Sequence, residues 1–321
     1  MPRRYHEKLK KLHAFTNFVL IDPEMTKASH QHSGNEHGNC GFRMFNMDNV
    51  EFPILVSVPH AGREYPDTVH EYLRIAPRDL IRLEDRYADR LVQPLIAQGI
   101  PTIIATRARA WIDLNRSVDE LDPEMVLGQG GSRATSASAK MRGGLGLIPR
   151  RLIQCGDIWK RPFSAEDIQG RIDAQHDPYH RTIATYLGEL REKFGSALLI
   201  DVHSMPPLAS IAGVQPNIVV GDRFGQSAGS IFAEILMERL KQAGVTAALN
   251  HPYPGDYILR RHGNVRNNIH AIQIEVDRSL YLDSDLLEPA SQLGSTASLL
   301  SGLIWSLIEV IGGTSLPMAA E

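Results

Sequence analysis

Cysteine is nearly absent from this chain. Cys40 and Cys155 are the only two in 321 residues, and they sit in unlike surroundings. Two thiols exclude a disulfide scaffold and fit a reducing, cytoplasmic compartment. An excess of one charge is also missing. Lys and Arg total 34 against 37 Asp and Glu, a formal net charge of -3, so no basic surface marks a nucleic-acid binder and no acidic block marks a disordered tail. Long hydrophobic runs are lacking as well. Residues 15–21 are too short and too interrupted for a signal peptide or a membrane span, and the last apolar pattern, about 286–311, is broken by Ser, Gly and Glu309, which predicts a packed helix and no membrane partner. The Gly-Gly pairs between 128 and 146 lack the spacing of a phosphate loop, so that stretch reads as an active-site flap or a plain loop.

What is present is an ordinary globular composition, 43% hydrophobic and 22% charged, in a chain long enough for one large α/β domain or two modest ones. Residues 1–48 show no sustained period. Despite His30, His32, His37 and Cys40, their Gly, Asn and Ser offer no rigid frame for a metal, and they read as a partly irregular N-terminal extension. Residues 49–321 then form the single expected α/β domain. Short β-branched runs predict strands at 53–58, 100–106, 110–114, 196–205, 217–221 and 270–278, and apolar spacing predicts helices at 78–98, 164–194 (bent before Pro178) and 225–242.

The centre of this pattern is Ser196-Ala-Leu-Leu-Ile-Asp201-Val-His203-Ser204. A buried strand delivers polar groups at its C-terminal edge, where open α/β sheets bind ligands. Asp201 and His203 share one face of it, and a histidine held in one tautomer by an aspartate is a good metal ligand. The run Pro53-Ile-Leu-Val-Ser-Val58 also stops at a histidine, His60, between Pro59 and Gly62. Parallel strands carry both imidazoles to the same edge.

Other polar residues are candidates to join them. In the strand His270–Asp277 the carboxylates of Glu275 and Asp277 lie opposite Ile272 and Ile274, and a carboxylate at the end of a buried strand is costly unless paired or working. Arg278 is a structural partner for it. Asn115 and Arg116 suit a substrate carboxylate, since arginine grips one with two parallel bonds, and Arg109 can face developing negative charge. His176 and His180 stand one helical turn apart, but Asp177-Pro178 spoils a chelating turn. His180 is therefore expected to position other groups or to face the substrate. Together these are the parts of a zinc hydrolase, in which three protein ligands leave a position for water.

The chain resembles the N-formylglutamate amidohydrolases, distant relatives of the zinc carboxypeptidases. The resemblance runs from about residue 52 to 283. It rests on Ser57-Val-Pro-His60-Ala-Gly62, Asp85-Arg-Tyr-Ala-Asp89-Arg-Leu91, Arg109-Ala-Trp-Ile-Asp-Leu-Asn115-Arg116, Asp201-Val-His203-Ser204 and Glu275-Val-Asp277-Arg278. It implies a three-layer α/β/α fold with a mixed, mostly parallel central sheet, like that of the zinc carboxypeptidases and phosphorylase-like hydrolases. It implies Zn2+ held by His60, Asp85 and His203, with Glu275 as general base and proton shuttle. Arg109 would steady the oxyanion, and Asn115 with Arg116 would hold the carboxylate of a small acidic N-acyl amino acid. The reaction implied is hydrolysis of N-formyl-L-glutamate to formate and L-glutamate, a late step of histidine breakdown. Zinc carboxypeptidases place their first ligands as His-x-x-Glu, whereas position 63 here is Arg; Glu64, Glu84 and Asp89 thus stand as alternatives to Asp85. A related zinc deacylase or carboxypeptidase with another acidic substrate, and a non-catalytic ligand-binding protein, are the competing readings.

Overall fold

Two strands buried at every position, β2 (Ile54–Val58) and β6 (Ala197–Met205), lie side by side in the middle of a seven-stranded sheet. Such runs, apolar on both faces, need cover on both sides. The computed structural model describes residues 40–48, 50–129, 138–210 and 215–313. The histidines of the expected extension, at 30, 32 and 37, lie outside the described residues.

The sheet order is β1-β3-β2-β6-β9-β7-β8, with β1 Phe42–Phe45, β3 Thr102–Ala105, β7 Ile218–Gly221, β8 Ala247–Leu249 and β9 Ile269–Asp277. β2, β3, β6 and β9 run parallel; β1 pairs antiparallel with β3, β7 antiparallel with β9, and β8 parallel with β7. A two-stranded hairpin, β4 (Arg151–Leu152) with β5 (Gly156–Asp157), stands apart. The ordered sheet thus begins at Phe42, upstream of residue 49.

Helices cover both faces. The described ones are α1 Asp67–Tyr72, α2 Ala88–Leu91, α3 Gln93–Ala97, α4 Ala139–Arg142, α5 Ala165–Arg171, α6 Asp177–Phe194, α7 Ser230–Gln242, α8 Tyr257–His262 and α9 Leu293–Gly313. Leu55, Leu199 and Ala271 point to one face and join a core with Tyr179, Ile183, Leu187 and Leu190 of α6. Their neighbours Ile54, Val56, Leu198, Ile200, Ile272 and Ile274, also buried, point to the other face by strand alternation. There α9 packs on α2, α3 and α7. The result is the expected mixed three-layer α/β arrangement. Helix α9 is long and apolar enough to cross a membrane by length and composition, and 56% of the qualifying window is buried inside the fold.

Three expected elements differ. The helix foreseen at 78–98 is instead a 3-10 stretch, Pro77–Leu83, followed by α2 and α3, with Glu84 extended and Tyr87 left-handed at φ 59°. Tertiary bonds override the periodicity: Glu84 turns inward to the half-buried Tyr65 and Asp85 to the buried His203, rather than outward to water. The strand foreseen at 110–114 is a turn, in which Asp113 accepts from the Asn115 amide and the Asp113 amide donates to Leu147. Before Pro178 the expected bend is a π turn, Ile172–His176, which absorbs the missing proline N–H without ending the helix.

Candidate active site

Strand register decides what the sheet presents at its edge. Ser57 pairs with Asp201, Asp201 with Gln273, and His203 with Glu275. Partners across parallel strands project to the same side, so His203 and Glu275 stand next to each other on the face covered by α6. Two residues past the end of β2, Pro59-His60 turns inward. Gly62 is obligatory in that turn, because a Cβ there would lie 2.0 Å from the Arg107 carbonyl oxygen. The His60 carbonyl accepts from the Asp85 amide at 2.9 Å, which places Asp85 between the 3-10 stretch and α2.

His60, Asp85 and His203 therefore converge. One ligand atom from each lies within 4.8 Å of the other two, and all three residues are buried. His203 Nδ1 is 2.9 Å from Asp85 Oδ2, and His60 Nδ1 is 3.6 Å from the same oxygen. Each ring's other nitrogen is held by a second carboxylate: His60 Nε2 lies 2.7 Å from Asp113 Oδ1, and His203 Nε2 lies 2.8 Å from Asp201 Oδ2. Asp201 in turn accepts from Ser57 Oγ, which meets Tyr179 Oη at 2.9 Å. Two imidazoles, both oriented by carboxylates and both offering Nδ1 toward a third carboxylate, make the donor set of a divalent metal site. The alternatives do not reach it. Glu84 accepts from Tyr65, Asp89 pairs with Arg63, and Glu64 accepts from Thr106.

The electrostatics follow from this packing. Burial opposes charge on His203, but Asp201 and the bond to Asp85 outweigh it and raise its pKa well above the usual histidine value. Burial likewise opposes the Asp85 anion, yet bonds from His203 and His60 bring its pKa well below the ordinary range. Asp113 is also held low: burial is overcome by Arg109, His60 and Arg116. Glu275 behaves oppositely. Burial, with the Asp85 charge adding, pushes its carboxyl up to about 7 against the pull of His203, Lys140 and Arg278. Gln273 Nε2 donates to it at 2.9 Å. A carboxyl poised near neutrality beside a potential metal site is suited to moving protons.

A model of the N-formylglutamate amidohydrolase family matches residues 52–282. The chain belongs to this family. It is 32% identical over 248 residues to an N-formylglutamate deformylase of Pseudomonas putida, covering 75% of this chain and 86% of that one, and 31% identical over 238 residues to the Pseudomonas aeruginosa protein of the same name, with 72% and 82% covered. The crystal structure of an N-formylglutamate amidohydrolase from Ralstonia eutropha JMP134 superposes with a TM-score of 0.77 at 25% identity, over 85% of this chain and 98% of that one. The chain is accordingly a hydrolase acting on an amide, and its matched region contains the whole His60-Asp85-His203 cluster.

In this amidohydrolase the remaining expected residues fall into two groups. Arg109 lies at the site, its Nε on Asp113 Oδ2 at 2.7 Å and its charge within reach of Asp85 and Glu275. Asn115 Nδ2 lies 3.3 Å from His203 Nε2, while its Oδ1 accepts from the Ile258 amide at the start of α8. Arg116, the expected carboxylate anchor, is walled in. It is 1% exposed and donates to the carbonyls of Leu145 and Asn115 and to Asp256 Oδ2. His180 is likewise fully buried, with Nε2 2.9 Å from the Leu114 carbonyl and Nδ1 2.9 Å from His262 Nε2, the arrangement of a residue that positions other groups. With His176 Nε2 on the Arg116 carbonyl, these histidines fix the loop that carries Asp113 and Asn115. Burial first, then His176, His262 and Arg261, keep His180 well below the usual histidine pKa, and burial with Arg261 brings His262 down to about 3, so the His180–His262 bond is made by neutral rings. Arg278 pairs with Asp85 Oδ1 and Ser204 rather than with its own strand's carboxylates.

Three participants were not singled out from the sequence. Asp113 orients both His60 and Arg109; a lone aspartate in the apolar run Trp111–Leu114 was the available signal, since a buried carboxylate must be paired. Tyr253 comes from the polar loop after β8. Burial, Glu275 and Asp85 raise its hydroxyl pKa while Arg278 and Arg109 oppose them, so it belongs to the same electrostatic neighbourhood. Lys140 is the third, and no periodicity marked it.

Proposed function

We propose that this amidohydrolase is a zinc-dependent deformylase that hydrolyses N-formyl-L-glutamate to L-glutamate and formate. The observation that carries this reading is the buried His60-Asp85-His203 cluster with Glu275 directly across the strand pair from His203. The names of the Pseudomonas relatives support the substrate. The donor set fits zinc, with two nitrogens and one carboxylate oxygen, each imidazole held from behind by Asp113 or Asp201. When bound, zinc supplies Lewis acidity and lowers the pKa of water to about 7.

The protein's own groups do the rest. Glu275 takes a proton from the attacking water and returns it to the departing amine, a task for which a carboxyl near neutrality is matched. Arg109, fixed by Asp113, holds a positive charge where the formyl oxygen becomes negative. Asp113 and Asp201 keep the ring nitrogens that they hold protonated, so that each Nδ1 is presented to the ion.

The test is elemental analysis of protein purified without a metal-affinity tag, with an assay of N-formyl-L-glutamate before and after chelation. One zinc per chain and chelation-sensitive deformylation are expected. Full activity in metal-free protein would refute the zinc assignment, and no turnover in zinc-loaded protein would refute the substrate.

A further inference from the structure

With Arg116 enclosed, the deformylase reading leaves open what recognises an acidic substrate. Among the described residues, the charges of Arg109, Arg116, Arg278 and Lys140 act on the carboxylates of the site. Arg109 is committed to Asp113, Arg278 to Asp85 and Ser204, and Arg116 to Asp256 and two carbonyls. Lys140 differs. Its ammonium sits 2.5 Å from Asp256 Oδ2, the same oxygen that takes Arg116 at 2.9 Å, and its side chain is 48% exposed. Arg116 also pairs with Asp113, and an ammonium has three donors, so Lys140 can donate to a second carboxylate without leaving the first.

Its position is also built. Ser138 caps α4 by accepting from the Met141 amide, the Lys140 carbonyl accepts from Leu145, and the Leu145 carbonyl holds Arg116. Lys140 is thereby tied through Arg116 to the loop that carries Asn115. Its partner Asp256 immediately precedes α8, whose Ile258 amide donates to Asn115 Oδ1 at 2.8 Å, and Asn115 Nδ2 lies 3.3 Å from His203 Nε2, so the Lys140–Asp256 pair adjoins the cluster. Lys140 is far more exposed than Arg109, 48% against 16%, and so open to a ligand arriving from solvent. In N-formyl-L-glutamate the α-carboxylate is attached to the carbon that bears the scissile amide, and the γ-carboxylate lies two methylenes further out.

We propose that Lys140 reads the γ-carboxylate of the substrate, with Asp256 and Arg116 holding the ammonium in place. This rests on the deformylase reading. The test compares kcat/KM of the zinc-loaded wild type, Lys140→Met and Lys140→Arg for N-formyl-L-glutamate, its γ-amide N-formyl-L-glutamine, and its α-amide.

The wild type should prefer the glutamate over the γ-amide. Lys140→Met should lose that preference by at least about tenfold, through a higher KM for the glutamate, and Lys140→Arg should restore most of it. An unchanged preference in Lys140→Met, an equal fall for all three substrates, or a loss confined to discrimination against the α-amide would each overturn the assignment. A wild type inactive on all three would instead sink the deformylase reading, and this one with it.

Discussion

Replacing Glu275 by Gln should stabilise the metal-free protein in alkaline solution. The Glu275 carboxyl moves from an ordinary 4.5 to about 7 on folding, chiefly through burial. The folded chain therefore holds this proton more tightly than the unfolded chain does. Its contribution is fully present below pH 4.5 and is lost as pH rises through about 7. A change of that size corresponds to about 3 kcal/mol at pH 8. Glutamine cannot ionise and is free of this penalty. The difference in stability between Glu275→Gln and wild type, both kept in chelator, should then grow by about 3 kcal/mol between pH 4.5 and pH 8. For a chain of this length that is a relative gain in Tm of roughly 5 °C. Thermal unfolding followed by circular dichroism at a series of pH values measures it, and the shared titrations of other groups cancel in the comparison. Parallel pH profiles for the two proteins would refute both the buried ionisation and the argument that Glu275 is tuned for proton transfer.

Other outcomes follow from the same geometry. With zinc restored, Glu275→Gln should lower kcat by about 10²–10⁴ while leaving metal content at one per chain; retained turnover would remove it as the base. Asp113→Ala deprives His60 and Arg109 of their shared partner, and zinc affinity should fall about 10–100-fold in competition with a chromophoric chelator. Gly62→Ala would put a Cβ 2.0 Å from the Arg107 carbonyl; a loss of about 3 kcal/mol or more in urea titration is expected, and a loss under 1 kcal/mol would show that the turn yields easily. His262→Leu strips His180 Nδ1 of its partner in a buried setting, at a cost of about 1–3 kcal/mol, and unaltered stability would mean that the histidine chain holds nothing.

The parts of the site that lie on strands were legible in the sequence because an apolar run ending in histidine, proline or glycine has few other readings. β6 and β9 delivered Asp201, His203 and Glu275 where alternation placed them. Asp85 was harder. At 78–98 its spacing matched an amphipathic helix with a solvated acidic face, and family resemblance rather than periodicity selected it over Glu64, Glu84 and Asp89. Only the three-dimensional break at Glu84 to Tyr87 shows why it turns inward. In the sequence Arg116 looks like an open fork, because enclosure is not encoded locally: Asp256, 140 positions away, and two backbone carbonyls take up its donors. Asp113 and Tyr253 lie on turns and loops, and Lys140 on the single-turn helix α4, too short for a repeat distance to link residue type to direction.

The division of labour between sheet and loops has an evolutionary consequence. His203 and Glu275 are locked together by a nine-residue parallel pairing, and inserting or deleting one position in either strand would send one of the two side chains to the other side of the sheet. Helix α4, which carries Lys140, and the segment around Tyr253 lie outside that strand pairing. Changes in those segments can therefore alter the surroundings of the site while leaving the strand pairing untouched.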